Sequence, residues 1–242
     1  MTYSIPVKQF TSWSFSRYQV YRQCPLKAKL QFIDKIQPPD DEALRHGREV
    51  HEACEKFIKG ETPTLPTTYP PGRRLLLKAR REAKKLILPA IVEETWALTR
   101  HWQMTRWNDW AKCWLRIRLD VAYFYQHQEP GDTLVLIDWK TGKFRPDSGD
   151  YEEQGSLYAL GAFLLYPDIQ EVRVQFVFLD AKHVLYLPVF TQNDVSALKA
   201  RWERNVALMM TDLTFDPRPT NLCQWCFYRK ANLPNGGGQC IY

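Results

Sequence analysis

The hydrophobic and polar positions in the first part of the chain repeat with the period of α-helices. The pattern predicts one helix over residues 12–36 and a second over 41–59, closed by Gly60. A proline-rich stretch over 62–72 predicts a loop. A third helix is predicted over 73–85, with one apolar face made of Leu76, Ala79, Ala83 and Leu86.

From residue 91 onward the period changes to that of β-strands. Strands are predicted over 93–99, 115–121 and 134–139. A helix over 151–165 follows, and Asp150 and Glu153 form a capping-box pattern at its start. The chain then continues with a hairpin of 172–179 and 184–190 and with a helix over 194–210. Helices, then strands around a helix, then a hairpin predict an α/β fold with a mixed sheet, flanking helices and an N-terminal helical cover. We expect one domain over 1–242, made of a helical part (1–90), a core (91–212) and a tail (213–242).

The composition adds little to this picture beyond excluding some classes of protein. The chain is 45% hydrophobic and 25% charged, as in ordinary globular proteins, and carries a net charge of +6. No apolar run is long enough to cross a bilayer, and the first ten residues lack the apolar core of a secretion signal. We therefore expect a cytoplasmic protein with no membrane partner.

A modest net charge means that any nucleic-acid binding must use a local basic patch. Seven basic residues face outward on the helix over 73–85, among them Arg73, Arg74, Arg80 and Arg81. They form either a phosphate-contacting patch or a merely solvated face. Further candidate contacts to DNA are Arg17, Arg116 and Arg118, with Trp102, Trp107 and Trp110 as stacking surfaces or as core.

Three charged residues occupy strand positions where charge is costly unless it is used or paired. Asp138 and Lys140 end a short apolar run and project to the same side, because residues i and i+2 of a strand share a face. Asp120 is expected at the end of the preceding strand. If the strands are neighbours, two carboxylates and an ammonium group meet, which suits metal-assisted phosphodiester hydrolysis. The alternative is an isolated ion pair at a strand edge.

Two pairs of residues at helical spacing extend this set. His51 lies one turn after Gly47, whose missing side chain would leave room beside the imidazole. Gln154 and Tyr158 share one face of the helix that follows Asp138. Each pair taken alone is more typical of an ordinary helix surface.

Together these motifs resemble the PD-(D/E)xK nuclease superfamily, specifically its RecB-like iron–sulfur branch. The resemblance implies a restriction-endonuclease-like fold in which His51, Asp120, Asp138 and the backbone carbonyl of Trp139 bind Mg²⁺ or Mn²⁺. It further implies that Lys140 positions the nucleophilic water and that Gln154 and Tyr158 shape the site.

Four cysteines could bind a second inorganic group. Cys223 and Cys226 form a C-x-x-C pair, with Cys240 further along the tail and Cys24 near the other end of the chain. Four thiolates suit either Zn²⁺ or a [4Fe–4S] cluster, and a metal-free group of thiols is the third alternative. The resemblance favours the iron–sulfur cluster, although the gap before Cys240 is longer than is usual in the family. Cys54 and Cys113 are expected to be buried and not to be ligands.

The resulting hypothesis is a metal-dependent DNA nuclease, an exonuclease on single strands or DNA ends. The sequence contains no G-x-x-x-x-G-K-[ST] phosphate loop, so unwinding would come from a partner. The resemblance implies a prokaryotic or virus-encoded protein and a helicase, a recombinase or a CRISPR-adaptation protein as partner. The alternatives are a non-catalytic DNA-binding or assembly subunit and a structural zinc-binding adaptor.

Overall fold

The computed structural model describes residues 9–85, 90–125, 132–232 and 238–242. Contacts divide the chain into two compact units, which are Met1–Asp40 with Arg201–Tyr242, and Asp41–Ala200. The prediction of a single domain with other internal boundaries stays a prediction. Leu86, the first eight residues and residues 233–237 of the gap before Cys240 fall outside the described residues. Within the described ranges, no helix is both long and apolar enough to span a membrane.

The structure describes six α-helices and six strands. The helices are α1 (Phe15–Gln23), α2 (Pro25–Ala28), α3 (Glu42–Lys59), α4 (Pro70–Ala83), α5 (Asp150–Leu165) and α6 (Val195–Thr211). The strands are β1 (Ile91–Leu98), β2 (Leu115–Tyr125), β3 (Thr133–Lys140), β4 (Glu171–Phe178), β5 (His183–Tyr186) and β6 (Phe190–Thr191).

Local chemistry explains the bounds of α3, which were predicted correctly, and the break in the helix predicted over 12–36. α3 has the predicted bounds, because the Asp41 side chain accepts the Leu44 N–H and Gly60 ends the helix at φ 84°. The single helix predicted over 12–36 is wrong. Cys24 is extended, with φ −161°, and separates α1 from α2. Pro25 disfavours a helical conformation in the residue before it, so the chain breaks at this cysteine.

Two further helix starts differ from the predictions. α4 begins at Pro70 instead of residue 73, because proline fits the first turn of a helix, where its missing N–H has no partner to lose. α5 has Gly149 as its N-cap without a side-chain capping bond, so the predicted capping box is wrong. Three acidic residues in the first turn of α5 interact favourably with the helix dipole instead.

The sheet is mixed, as predicted. Its order is β1-β2-β3-β4-β5, and β6 also pairs with β4. The β3–β4 pair is parallel and is connected by α5, whereas the other pairs are antiparallel. The second strand of the predicted hairpin is interrupted, because residues 187–189 belong to neither β5 nor β6.

Helices cover both faces of this sheet within the unit Asp41–Ala200. On one face, α3 and α4 share an apolar cluster with β2, β3 and β4, which includes Phe57, Leu76, Ile137 and Val177. On the other face, α5 packs closely, because a Cβ at Gly161 would lie 2.7 Å from Ile117 Cδ1. The sheet is therefore the middle layer of three.

The other unit, Met1–Asp40 with Arg201–Tyr242, has a separate aromatic core. Trp13 stacks on Trp202 with ring centroids 5.5 Å apart. The Tyr21 hydroxyl donates to Asp212 at 2.7 Å, and the Tyr228 hydroxyl donates to the Ile36 carbonyl at 2.7 Å. These bonds connect the N-terminal segment to the C-terminal tail.

Candidate active site

Two strands separate at the candidate catalytic carboxylates. β2 pairs with β3 as far as Val121 opposite Ile137, and the next residues in each strand are Asp120 and Asp138. Beyond this point β2 continues against β1, and β3 continues against β4 to Lys140. Asp120 therefore lies in the middle of its strand and not at the predicted end.

We call the point where β2 and β3 diverge, at Asp120 and Asp138, the fork. A side chain bridges the two strands there in place of the backbone hydrogen bonds of the sheet. Asp120 Oδ2 accepts the Trp139 backbone N–H at 2.7 Å. On the other side of the same carboxylate, His51 Nδ1 of α3 lies 3.1 Å from Oδ1. Asp120 thus binds α3 and β3 at once, which leaves its carboxylate with a fixed orientation.

The glycine before His51 has a different role from the predicted one. A Cβ at Gly47 would lie 3.3 Å from the Thr141 hydroxyl, so the glycine lets α3 approach the segment after Lys140. That segment is anchored further by Asp180, whose Oδ2 accepts the Gly142 N–H at 3.1 Å and lies 2.9 Å from His46 Nε2.

Asp138, Lys140, Gln154 and Tyr158 form one connected polar network. The Lys140 ammonium lies 2.7 Å from Asp138 Oδ1 and donates to Gln154 Oε1 at 3.0 Å. The Gln154 amide donates to Tyr158 and to Asp138 Oδ2, at 2.7 and 3.2 Å, and the Tyr158 hydroxyl donates to Asp138 Oδ2 at 2.7 Å. The helix α5 therefore holds both the acid and the lysine of β3.

One atom of this network remains without a hydrogen bond among the described residues. Asp138 Oδ1 is fully buried, and although the Lys140 ammonium is close, the angles between the two groups are not those of a hydrogen bond. A buried carboxylate oxygen without a hydrogen bond is costly in isolation. The Lys140 ammonium, 2.7 Å away, offsets part of this cost, and a bound cation would offset it in the same way.

Burial and mutual repulsion shift the acid–base equilibria at the fork. Burial, followed by the charge of Asp138, raises the pKa of Asp120, against the opposing effects of His51 and the Trp139 N–H. Burial pulls the pKa of His51 down, but its hydrogen bond to Asp120 and the surrounding carboxylates outweigh this and raise it. Burial and the same carboxylates hold the pKa of Tyr158 well above its usual value, so Tyr158 stays a donor.

A residue that the sequence analysis did not select completes the acidic group. Ligand atoms of His51, Glu93 and Asp120 all lie within 4.8 Å of one another, so these residues could hold a metal ion. Glu93 is on β1 with φ 52°, a strained conformation for a residue with a side chain. In sequence Glu93 looks like its neighbour Glu94, and only the β1–β2 register places it beside Asp120.

The candidate DNA-contacting arginines have different surroundings. Arg118 donates through Nε and one terminal nitrogen to Glu93 Oε2 at 3.0 and 2.9 Å. On α4, Arg73, Arg74 and Arg81 are exposed, whereas Arg80 lies over the Phe57 ring at 4.5 Å. Arg17 donates to the Ser12 carbonyl and hydroxyl within its own unit. Their contacts with DNA stay predictions, as does the carbonyl of Trp139 as a metal ligand.

The four candidate cluster cysteines line one cavity in the unit that contains both chain ends. Cys24, Cys223, Cys226 and Cys240 surround a space of about 40 Å³. Backbone N–H groups of Arg218 and Thr220 donate to the sulfurs of Cys24 and Cys223, both at 3.4 Å. As predicted, Cys54 and Cys113 are buried.

The spacing of these four thiols is informative. Among the described residues, no three of them lie within 4.8 Å of one another, since the group around His51 alone meets that limit. A tetrahedral zinc site with Zn–S bonds of about 2.3 Å would place its sulfurs about 3.8 Å apart. In every trio of these thiols at least one pair of sulfur atoms is therefore more than 4.8 Å apart.

Comparisons with solved structures return chains of low similarity. One is a "putative exonuclease" from Eubacterium rectale, with 11% identity over 89% of this chain and 88% of that chain and a TM-score of 0.46. Another is SSO0001, with 12% identity over 96% of this chain and 90% of that chain and a TM-score of 0.43. At these scores neither likeness bears on the activity. No curated protein matches the chain.

A family model provides the assignment that these structures do not. The model of the PD-(D/E)XK nuclease superfamily matches residues 12–231, which is most of the chain. The matched range contains the whole mixed sheet and the fork where Asp120, Asp138 and Lys140 lie. The chain therefore belongs to the PD-(D/E)XK nuclease superfamily.

Proposed function

We propose that the protein is a divalent-metal-dependent deoxyribonuclease that hydrolyses phosphodiester bonds as an exonuclease on single strands or DNA ends. The observation that carries the proposal is the placement of His51, Glu93 and Asp120 within 4.8 Å, beside a connected Asp138–Lys140 pair. The family membership supports hydrolysis by a nuclease. The preference for single strands or ends rests on the resemblance of the motifs alone.

The donor set fits a hard divalent cation. Glu93 and Asp120 supply two carboxylates and His51 supplies one imidazole within 4.8 Å, donors that Mg²⁺ and Mn²⁺ accept. Among the described residues Asp138 is not part of that group, and its Oδ1 has no hydrogen bond there. We assign His51, Asp120 and Asp138 as ligands, together with the Trp139 carbonyl that the resemblance implies, and add Glu93. When bound, the cation would neutralise the phosphate and acidify a coordinated water.

The remaining groups would orient the reactants. Lys140 is held by Gln154 and lies against Asp138, where its ammonium group would position the attacking water and offset negative charge at phosphorus. Tyr158 stays protonated and fixes Asp138 by a short hydrogen bond. Gln154 bonds to both partners, so the lysine and the acid keep one relative orientation.

The test is cleavage of end-labelled single-stranded DNA with Mn²⁺ or Mg²⁺. The parent protein should cleave, and Lys140→Ala should lose activity while retaining its circular dichroism spectrum. The matched control is Lys199→Ala, a lysine of similar exposure on α6, which should cleave like the parent. Binding without cleavage in any divalent metal would instead identify a non-catalytic DNA-binding or assembly subunit.

We also propose that Cys24, Cys223, Cys226 and Cys240 hold a [4Fe–4S] cluster. Their wide spacing supports a group larger than one zinc ion, and backbone N–H donors at two of the sulfurs are typical of iron–sulfur sites. The cluster would fix the tail to the α1–α2 break, a structural role. Structural Zn²⁺ is the alternative that metal analysis would reveal.

The wider setting of the proposal rests on the resemblance alone. We propose a prokaryotic or virus-encoded protein of the cytoplasm whose DNA is made accessible by a helicase, a recombinase or a CRISPR-adaptation protein. Co-purification of one such partner from the native host would test this assignment without affecting the nuclease proposal.

A further inference from the structure

The segment that connects β1 to β2, residues 99–114, is long and irregular but well anchored. Asp109 fixes it from within, because Oδ1 accepts the Lys112 N–H at 3.1 Å and the Asp109 carbonyl accepts the Cys113 N–H at 2.8 Å. Its middle and its last residue are bonded to β1, because the N–H groups of Thr105 and Trp114 donate to the carbonyls of Ala97 and Leu98. Long loops with a defined structure in compact domains are usually functional.

This loop holds a large aromatic ring in solvent. Trp110 is 74% exposed, and the guanidinium group of Arg116 lies 4.5 Å from its ring centroid. Arg116 in turn donates through Nε and a terminal nitrogen to the Trp107 carbonyl, at 3.3 and 3.2 Å. An indole that is supported on one side and open to solvent is a ready surface for stacking.

The charges carried by this loop and by the start of β2 favour a polyanion as the ligand. Residues 99–118 contain five cationic side chains and one acidic one, in a chain of net charge +6. Arg100, Arg106 and Lys112 are exposed. Aromatic rings among cations are typical of surfaces that bind single-stranded nucleic acid, where the bases are free to stack. In a duplex the same base faces are already stacked on one another.

The ring is connected to the fork through Arg116, which contacts it and lies on β2. Arg116, Arg118 and Asp120 alternate along the strand and so share one face, about 14 Å from the first to the last at 3.4 Å per residue. Arg118 lies between them and contacts Glu93. A strand whose base stacks near Arg116 could therefore reach the carboxylates within a few nucleotides.

We propose that Trp110, supported by Arg116, is a stacking site for an unpaired base of single-stranded DNA, and that it delivers the strand along β2 toward Asp120. The proposal deepens the nuclease function and rests on it for its biological meaning. It requires no metal and no cleavage, so binding alone can test it.

The experiment measures fluorescence anisotropy of a labelled oligothymidine, a blunt hairpin duplex and an abasic oligomer in EDTA. Trp110→Ala should weaken binding of the oligothymidine roughly tenfold, leave duplex binding unchanged and leave abasic binding unchanged. Trp110→Phe should bind nearly like the parent. Tyr186→Ala is the matched control, an exposed aromatic residue on β5 at the other edge of the sheet, and should have no effect.

The outcomes separate this inference from the nuclease proposal. The stacking site would be overturned if the parent and Trp110→Ala bound oligothymidine equally well. It would also be overturned if Trp110→Ala lost the same binding affinity for all three probes, even if the parent cleaves DNA. Conversely, a base-dependent loss in a protein that cleaves nothing would retain the stacking site and reject the nuclease. Thermal unfolding of Trp110→Ala should match that of the parent, because the side chain is largely exposed.

Discussion

Asp120 accepts the backbone N–H of Trp139 at the point where β2 and β3 part. The bond compensates for the ladder contact that the strands lose when they diverge, and it turns the carboxylate toward His51. In a sheet that stayed paired through this region, Asp120 and Asp138 would be direct cross-strand partners. The side chain thus keeps the fork both open and ordered.

Comparing two substitutions at Asp120 should isolate that backbone bond. Asp120→Asn and Asp120→Ala both remove the charge, but only asparagine keeps an oxygen that can accept the Trp139 N–H. We expect Asp120→Ala to be less stable than Asp120→Asn by about 1–2 kcal/mol in metal-free protein, as measured by urea unfolding. Both variants should lose cleavage. Equal stabilities would mean that the N–H finds another partner.

Substitution of Glu93 should show whether it is a metal ligand. Glu93→Gln removes the carboxylate beside His51 and Asp120 while preserving the shape of the side chain. We expect the affinity for Mn²⁺, measured by isothermal titration calorimetry, to fall by at least about tenfold. Glu94→Gln is the adjacent control and should bind Mn²⁺ like the parent. An unchanged affinity in Glu93→Gln would limit the ligands to the residues that the motifs predicted.

The site should make metal stabilisation depend on pH. The pKa values of Asp120 and His51 are raised in the folded protein, so their protonation stabilises the metal-free fold below the unfolded values of about 3.9 and 6.5. This contribution is lost as the pH rises through the raised values. A bound cation replaces those protons, so the increase in Tm on adding Mn²⁺ should grow from about pH 5 to about pH 8.

Thermal unfolding with and without Mn²⁺ across this range measures the effect. His51→Gln should show a smaller increase that depends less on pH, because the titrating imidazole is gone. An increase in Tm that is constant across the range in the parent would contradict the placement of the cation among these groups.

The cysteine cavity predicts a visible property of the protein. The parent, purified without oxygen, should be brown with broad absorption, and Cys223→Ser should lose the colour, the iron and part of its thermal stability. Cys113→Ser is the control, a buried cysteine that does not line the cavity, and should keep the colour. A colourless parent that contains stoichiometric zinc would contradict the iron–sulfur cluster and identify Zn²⁺ as the bound group.

Local sequence determined the features that depend on near neighbours. The bounds of α3 follow from Asp41 and Gly60, and the shared side of Asp138 and Lys140 follows from strand geometry. The break at Cys24 also has a local cause in Pro25, but the helical pattern on either side concealed it. Propensities and caps act within a few residues, so a single sequence displays them.

Tertiary structure alone decided which of these features meet. Glu93 enters the acidic group because β1 pairs with β2 in one register, and Asp120 faces Trp139 because two strands diverge there. The sequence left Trp110 open as a stacking surface or as core, and its exposure and its contact with Arg116 favour the first alternative. Pairing register and solvent exposure are set by packing between distant segments, and the order of residues along the chain does not encode them locally.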